Sequence, residues 1–338
     1  MIREYKLSGF ILIIFFLCLS LFSQAPNKAG GNEFSSMIID AHMHSGLKII
    51  GGRPAFYQLD YFTGRGMNGF FIGMPVDRSK TSDLPARITN EVEQIKKITA
   101  DSQRTILIQA DWRPDKFPAD DKIRLFLGIE YFDGVFNNNL NSVQKYKKLG
   151  IKYITLMDNA DDRLFSGNEK LNKFGMNIIK EMNGAGILID ISHLNKQQRL
   201  SVISYSKAPV IASHSNTIKH AAVPGNLTDK VLYALKEKGG YVFLTFNKED
   251  IYRDADPGSS AFDQLIKHMD HLKNNIGADH FGIGSDYQAS GRYIPAEFNR
   301  PDVFVRLKQR MLESGYTQNE IENIFARNLL HALETAAH

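Results

Sequence analysis

Two histidines, His42 and His44, lie one residue apart at the end of a short apolar run that begins at Met37. Side chains alternate between the two faces of a strand, so both imidazoles project to the same side, about 7 Å apart along the backbone. Neutral imidazole is the commonest protein ligand for metal ions, and two imidazoles placed in this way can bind one ion. Taken alone, a His-X-His pair is as often a surface or core feature as a metal site.

Four other apolar runs also end in a residue that can bind a metal ion. These residues are Glu130, His193, His214 and Asp286. A single histidine at a strand end is more often a hydrogen-bonded core residue. Imidazole nitrogen and carboxylate oxygen are, however, the ligands that zinc takes in proteins, and one glutamate can bridge two ions about 3.5–4 Å apart. The coincidence of five strand ends therefore predicts a metal site.

The elements that must position these residues alternate regularly along the chain. Predicted strands cover Met37–His42, Gly69–Met74, Leu125–Glu130, Tyr153–Met157, Ile187–Ser192, Val210–His214, Tyr241–Phe246 and Phe281–Asp286. Predicted helices cover Ala86–Ala100, Asn141–Leu149, Lys173–Asn183, Lys196–Ser206, Thr228–Lys238 and Ala261–Asn275, and two C-terminal helices cover Pro301–Glu313 and Gln318–Glu334. A ninth β-rich run, Thr105–Ala110, is interpreted as an extra segment before the third strand.

Eight buried parallel strands that alternate with helices predict the α/β class and a single (β/α)₈ TIM barrel over residues 37–338. Catalytic groups of such barrels lie at the C-terminal ends of the strands, where the five candidate ligand positions fall. A doubly wound open sheet is the alternative fold. Its dinucleotide-binding version is disfavoured because no Gly-X-Gly-X-X-Gly follows an early strand.

The N-terminus has the pattern of a secretory signal. Residues 1–25 combine basic Arg3 and Lys6 with the apolar run 10–17 and end in the small-X-small sequence 23–25. We therefore predict an exported protein with a flexible leader over residues 26–36; an uncleaved membrane anchor is the alternative. Cleavage would remove Cys18, the one cysteine of the 338 residues, and with it any thiol chemistry. No basic block with interleaved aromatic residues suggests a nucleic-acid partner.

Several segments resemble the membrane (renal-type) dipeptidase family, in the same order from Ile39 to Leu330. They are Gly128-Ile129-Glu130, Asp190-Ile191-Ser192-His193, Ser213-His214-Ser215, Asn226-Leu227-Thr228-Asp229 and Gly284-Ser285-Asp286. The resemblance implies a barrel of zinc peptidases that cleave dipeptides at a centre of two zinc ions, and it suggests a homodimer. It implies His42 and Glu130 on one zinc, Glu130, His193 and His214 on the other, and Asp286 as the residue that handles the protons of the attacking water.

Four positions depart from the family pattern. His44 stands where the family has aspartate; imidazole can still bind zinc. Asp158-Asn159 replaces His-Asn, Gly225 replaces an arginine that binds the substrate's terminal carboxylate, and Asn247 replaces a tyrosine that contacts substrate. We treat Asp158, Asn159, Gly225 and Asn247 as candidate substrate-binding positions.

Other polar residues are candidates for supporting roles. Lys219, His220 or Arg292 could replace the missing arginine. Asp190 and Ser192 flank His193 and could orient it. His268 and His271 lie one helical turn apart and are predicted to form a solvated face.

The sequence thus predicts an exported zinc-dependent hydrolase with Asp286 and Glu130 as catalytic residues. Its favoured substrate is a small amide, foremost a dipeptide. One alternative is the same metal chemistry on an N-acyl amino acid, a lactone or another small ester. Another alternative is a catalytically silent binding protein on the same scaffold.

Overall fold

The structure is a computed structural model in which residues Ser36–His338 form one compact unit. The residues that it describes are 37–44, 47–50, 53–56, 66–75, 84–100, 102–112, 120, 122–130, 134–157, 163–167, 169–252, 258–287 and 293–337. The predicted signal segment, the leader, Asp158, Asn159 and Arg292 lie outside these residues. In the described part of the chain, no helix combines the length and the apolar character needed to cross a membrane.

Eight parallel strands form the barrel, and all eight predicted strands are present. They are β1 (Ile39–His44), β4 (Gly69–Pro75), β6 (Ile123–Glu130), β7 (Ile151–Thr155), β8 (Leu188–Asp190), β9 (Val210–Ala212), β10 (Tyr241–Leu244) and β11 (Phe281–Ile283), paired in that order. β5 (Thr105–Leu107) pairs with β6 but is not one of the eight barrel strands, in agreement with the interpretation of the ninth β-rich run as an extra segment. β2 (Leu47–Ile50) and β3 (Arg53–Phe56) form an antiparallel pair that the sequence pattern did not predict. The TIM-barrel prediction is confirmed.

Helices alternate with the strands and cover the barrel. They are α1 (Leu84–Ala100), α2 (Asn141–Leu149), α3 (Lys173–Ala185), α4 (Lys196–Tyr205), α5 (Asp229–Glu237), α6 (Lys248–Tyr252), α7 (Ala261–Ile276), α8 (Val303–Glu313), α9 (Gln318–Glu322) and α10 (Asn328–Ala336). Local sequence sets several of their starts. Asn195 and Gln198 form a reciprocal capping box at α4, and the Ser260 hydroxyl accepts the Phe262 N–H at the start of α7.

The sequence predicts one continuous C-terminal helix over Gln318–Glu334, but the structure divides this helix. A π-helical turn, Asn323–Arg327, separates α9 from α10. Directly after it, the Asn328 side-chain amide donates hydrogen bonds to the carbonyl oxygens of Ala278 and Phe281 at 2.8 and 2.7 Å. A π turn changes the phase of a helix, and here it accompanies the attachment of the helix to the segment that leads into β11.

Two hydrophobic clusters make up the core. The larger one lies between the strands and the surrounding helices. The second fills the barrel interior, where Phe71, Phe126 and Tyr153 from neighbouring strands pack together with Leu329 and Leu333 of α10. The C-terminal helix therefore packs against the interior residues of the barrel.

A β-bulge in β1 determines which side chains of this strand face inward. Asp40 and Met43 pair with residues only two apart on β4, so β1 carries one extra residue. Ala41 belongs to the interior cluster and Met43 to the outer one. Because alternation changes phase at the bulge, His42 and His44 point into the barrel mouth while Asp40 lies on the other face.

Hydrogen bonds at the strand ends connect β1 to the segment after β11 and so complete the barrel there. The Ser285 N–H donates to the Asp40 carboxylate, and the Asp286 N–H donates to the His42 carbonyl, both at 2.9 Å. The same Asp40 oxygen accepts the His42 N–H at 3.0 Å. The buried Asp40 thus aligns the two segments that carry His42 and Asp286.

Gly128 supplies space that the barrel interior requires. It follows Phe126 on the inward face of β6, and a β-carbon at this position would overlap the ring of Tyr153. We expect Gly128→Ala to reduce the free energy of unfolding by about 2–3 kcal/mol, the typical cost of overpacking a core. Chemical denaturation would measure this loss.

Gly184→Ala is the matched control, because Gly184 is an exposed residue of α3 with nothing within 4 Å of the added methyl group. This change should stabilise the protein by up to about 1 kcal/mol through helix propensity. Equal stability of Gly128→Ala and the unsubstituted protein would contradict the assigned packing.

Candidate metal centre

Four imidazoles surround one buried carboxylate at the C-terminal ends of the strands. Glu130 Oε2 lies 3.1 Å from His42 Nε2 and 3.5 Å from His44 Nε2. Glu130 Oε1 lies 2.9 Å from His193 Nε2 and 3.5 Å from His214 Nε2. Each carboxylate oxygen therefore faces its own pair of histidines.

Asp286 adds a second carboxylate to this group. Its Oδ1 lies 2.9 Å from His44 Nε2, and its side chain is only 10% exposed. Its backbone has a φ of 57°, a left-handed conformation that aspartate tolerates better than most residues. The hydrogen bond from its N–H to His42 holds this conformation and directs the carboxylate into the group.

The residues fit divalent metal ions. His42 Nε2 and Glu130 Oε2 are buried, and neither of them has a hydrogen-bond partner among the described residues. Ligand atoms of His42, Glu130 and His214 lie within 4.8 Å of one another, and so do those of His42, His44 and Asp286. Buried polar atoms without partners are costly unless they bind a ligand. Such atoms on imidazoles and carboxylates indicate a cation.

The negative charge of Glu130 dominates the electrostatics of the group. Burial lowers the pKa of His42, but the negative charge of Glu130 outweighs burial and raises the pKa to about 9. Burial raises the pKa of Glu130, but the charges of His42 and His44 and a hydrogen bond from His193 hold it well below the usual range. Burial and the charge of His42 lower the pKa of His214 to about 3. An ionised carboxylate and a neutral imidazole are the forms that bind a metal cation, so Glu130 and His214 are ready to bind, whereas His42 releases its proton when an ion binds.

A hydrogen-bond network behind the histidines sets their orientation. Tyr153 Oη lies 2.7 Å from His42 Nδ1. The Ser213 hydroxyl donates to Asp190 Oδ2 at 2.7 Å and lies 2.8 Å from His214 Nδ1. Because its single proton goes to Asp190, Ser213 accepts the Nδ1–H of His214, and this leaves His214 Nε2 unprotonated toward Glu130.

Asp190 was expected from the sequence to orient His193. In the structure it anchors the hydrogen-bond network behind His214. Its carboxylate accepts hydrogen bonds from the hydroxyls of Thr155, Ser192 and Ser213 and from the N–H groups of Ser192 and Ser213. Burial raises the pKa of Asp190, but the charge of His214 and these hydrogen bonds lower it below the ordinary value. Ionised Asp190 therefore supports His214 through Ser213.

Gly73 makes room for the first histidine pair. It lies opposite His44 in the β1–β4 pairing, and a β-carbon there would approach the His42 ring to 2.7 Å. Only a residue without a side chain permits this close approach. Gly73, Ser213 and Tyr153 are not among the site residues predicted from the sequence. Ser213 was visible in the Ser-His-Ser segment, whereas nothing in the sequence pattern distinguishes Gly73 or Tyr153 from other strand residues.

The candidate substrate-binding positions are only partly placed. Gly225 is exposed, and its carbonyl accepts a hydrogen bond from Arg199 Nη2 at 3.0 Å. Asn247 Oδ1 accepts the Glu249 N–H at 3.1 Å and so helps to begin α6. Asp158 and Asn159 lie outside the described residues.

The prediction of a solvated face at His268 and His271 is wrong for His268. This side chain is fully buried, and its Nδ1 accepts hydrogen bonds from the N–H and hydroxyl of Thr217. Burial lowers its pKa to about 3. His271 binds Asp229 at 2.7 Å, and His220 packs edge-on against both rings. Packing of α7 against the loop after β9, which helical periodicity does not show, buries His268.

Comparison with known proteins identifies the type of barrel. Solved structures with the same fold include an amidohydrolase from Pseudomonas aeruginosa, with a TM-score of 0.76 and 20% identity over 90% of this chain and 97% of the other. A metallo peptidase from Rhodobacter sphaeroides, liganded with a phosphinate mimic of the dipeptide L-Ala-D-Ala, has a TM-score of 0.73 and 20% identity over 88% and 99% of the two chains. The fold is thus that of the amidohydrolase-like barrels.

The sequence then defines the family. The sequence model described as "Membrane dipeptidase (Peptidase family M19)" matches residues 68–338, so the chain belongs to this family, as the resemblance implied. Dipeptidase verJ from Clonostachys rogersoniana is 31% identical over 222 residues. That match covers 63% of this chain and 55% of the relative, so the chain spans about half the length of the relative.

Ser213→Ala tests the network behind His214. Loss of the hydroxyl removes the acceptor that fixes the His214 tautomer, so we expect the affinity for Zn²⁺ to fall about 10–100-fold. Titration of the metal-free protein in zinc-buffered solutions would measure it.

Ser215→Ala is the control, because the Ser215 hydroxyl is buried beside His214 and has no hydrogen-bond partner among the described residues. Its zinc affinity should equal that of the unsubstituted protein. Equal losses in both variants would show that Ser213 does not orient His214.

Proposed function

We propose that this protein is an exported zinc-dependent hydrolase that cleaves a small amide bond, foremost that of a dipeptide, with a metal-activated water. The observation that carries the proposal is the position of Glu130, with one oxygen facing His42 and His44 and the other facing His193 and His214. A carboxylate between two sets of imidazoles is the arrangement that bridges two ions.

Each histidine pair would hold one ion together with Glu130. The set contains nitrogen and oxygen ligands without thiolate, which suits zinc in a catalytic site. Bound there, two divalent ions would lower the pKa of a water molecule to about 7 and polarise the substrate carbonyl. His44, where the family has aspartate, contributes a neutral ligand, so this centre carries one negative charge fewer than the family pattern implies.

Asp286 is suited to move the proton. Burial raises the pKa of this carboxyl, but a hydrogen bond from His44 and the charge of His214 lower it below the ordinary value. An ionised carboxylate beside the centre accepts the proton of the attacking water and then donates it to the nitrogen of the leaving amine. Its fixed left-handed backbone keeps the carboxylate in place for both transfers.

A second candidate is the same chemistry on an N-acyl amino acid, a lactone or another small ester. It is favoured by the two candidate substrate positions that the structure describes. Gly225 offers no side chain to a substrate carboxylate, and Asn247 uses its side-chain oxygen at the start of α6. Export rests on the signal-like residues 1–25; the homodimer stays a prediction.

Asp286→Asn tests the proton-transfer role. The amide cannot accept a proton, so we expect kcat for dipeptide hydrolysis to fall about 10²–10⁴-fold, while two zinc ions per chain remain bound. Steady-state kinetics and metal analysis would measure both. The control Asp302→Asn removes an exposed carboxylate before α8 and should leave kcat unchanged. Normal turnover by Asp286→Asn would contradict the assigned role.

Metal removal tests the centre as a whole. Dialysis against a chelator should abolish hydrolysis, and added Zn²⁺ should restore it in the unsubstituted protein, because the water then regains its activation. Glu130→Gln should bind less than two ions per chain and recover little activity, because the bridging charge is lost. Hydrolysis that survives complete metal removal would rule out the proposed chemistry.

A further inference from the structure

Asp250 lies at the same end of the barrel as the candidate metal centre, on the short helix α6 that follows β10. Its backbone carbonyl accepts hydrogen bonds from the side-chain amides of Asn216 at 3.3 Å and Asn226 at 2.9 Å. These asparagines come from the loops after β9 that also carry His214 and Gly225. The backbone of Asp250 therefore supports the local structure, and its side chain is free for another role.

The Asp250 carboxylate lies against Gly225. A β-carbon at residue 225 would be 3.2 Å from Asp250 Oδ1, which among the described residues, apart from the chain neighbours of Gly225, is the one atom within 4 Å of that position. No residue in the described part of the chain donates a hydrogen bond to this carboxylate or forms an ion pair with it. Burial and the negative charge of Asp286 raise the pKa of Asp250 to about 7. A cation placed beside this half-buried carboxylate would favour its ionised form and offset the repulsion from Asp286.

The buried cation that contacts the backbone of Gly225, Arg199, already has its donors engaged. Arg199 is buried and donates to four backbone carbonyls, those of Ile191, Ser192, Gly225 and Asn226. An arginine has five N–H donors, so at most one is left for another partner. Arg199 therefore stabilises the loops around Gly225. The charge that remains next to Gly225 is the negative charge of the Asp250 carboxylate.

We propose that Asp250 is a specificity-determining residue that binds a positively charged amino group at the leaving-group end of the substrate, an inference that rests on the proposed function. Of the charged groups around it, Asp286 affects Asp250 most, and Asp286 is the residue placed to protonate the leaving amine. A substrate carboxylate at this end would be repelled by Asp250, whereas an ammonium group would form an ion pair in a partly desolvated site. The favoured substrates are small amides that end in an amino group.

Three amides with the same acyl group separate the possibilities. Alanyl-glycine ends in a carboxylate, alanyl-glycinamide ends in a neutral amide, and the alanine amide of 1,2-diaminoethane ends in an ammonium group. For the zinc-loaded protein we expect kcat/KM to rise in this order, with about a tenfold or larger difference between the two charged compounds.

Asp250→Asn removes the charge and keeps the shape. It should reduce the preference for the ammonium compound over the carboxylate compound about tenfold, mainly through KM. Glu249→Gln is the matched control, because Glu249 is an exposed carboxylate on the same helical turn. This control should retain the preference of the unsubstituted protein. An Asp250→Asn variant that changes kcat/KM for all three compounds by one factor overturns the proposal.

Binding measurements distinguish this inference from the proposed function. The Asp286→Asn variant should bind the three compounds without rapid turnover. Calorimetry with this variant should give affinities that rise from the carboxylate compound through the neutral amide to the ammonium compound. In the double variant that also carries Asp250→Asn, the three affinities should no longer follow this order. If no compound is hydrolysed by the unsubstituted protein but this binding order is found, the inference stands and the proposed function fails. Equal affinity for all three compounds overturns the inference.

Discussion

The buried charge of Glu130 is the constraint on which the site depends. A carboxylate that is 1% exposed loses its hydration, and this loss costs several kcal/mol unless opposite charges or donors replace the water. Here His42 and His44 face one oxygen, and His193 and His214 face the other. Three segments, those at the ends of β1, β8 and β9, must therefore end within about 3.5 Å of the one side chain that β6 supplies.

The barrel meets this requirement through local irregularities rather than through regular strand geometry. The bulge in β1 turns His42 inward at the point where Asp40 attaches the strand to Ser285. Gly73 and Gly128 remove the β-carbons that would meet the His42 and Tyr153 rings. The interior packing and the candidate metal centre thus share residues, because Tyr153 belongs to the interior cluster and its hydroxyl lies 2.7 Å from His42 Nδ1.

The sequence was sufficient for the architecture and for the list of candidate ligands, because both follow from periodicity and residue type. Short apolar runs alternating with amphipathic segments predicted all eight barrel strands, and the residues that end those runs include Glu130 and His193. Parallel strands in a barrel place their C-terminal ends on one face, so residues far apart in the chain could be grouped without coordinates. The family resemblance followed from the same segments.

Residue type and periodicity predicted the fold and the candidate ligands, and comparison with the family pattern showed the departures at His44 and Gly225. Only the tertiary structure decided how Glu130 divides its two oxygens, that His268 is buried, and that the Asp250 carboxylate lies against Gly225 with no ion-pair partner among the described residues. These facts depend on contacts between segments that are distant in the chain, and on the direction in which each side chain leaves its backbone. A linear pattern contains the chemistry of each residue, but the distances that allow residues to act together arise only when the chain packs.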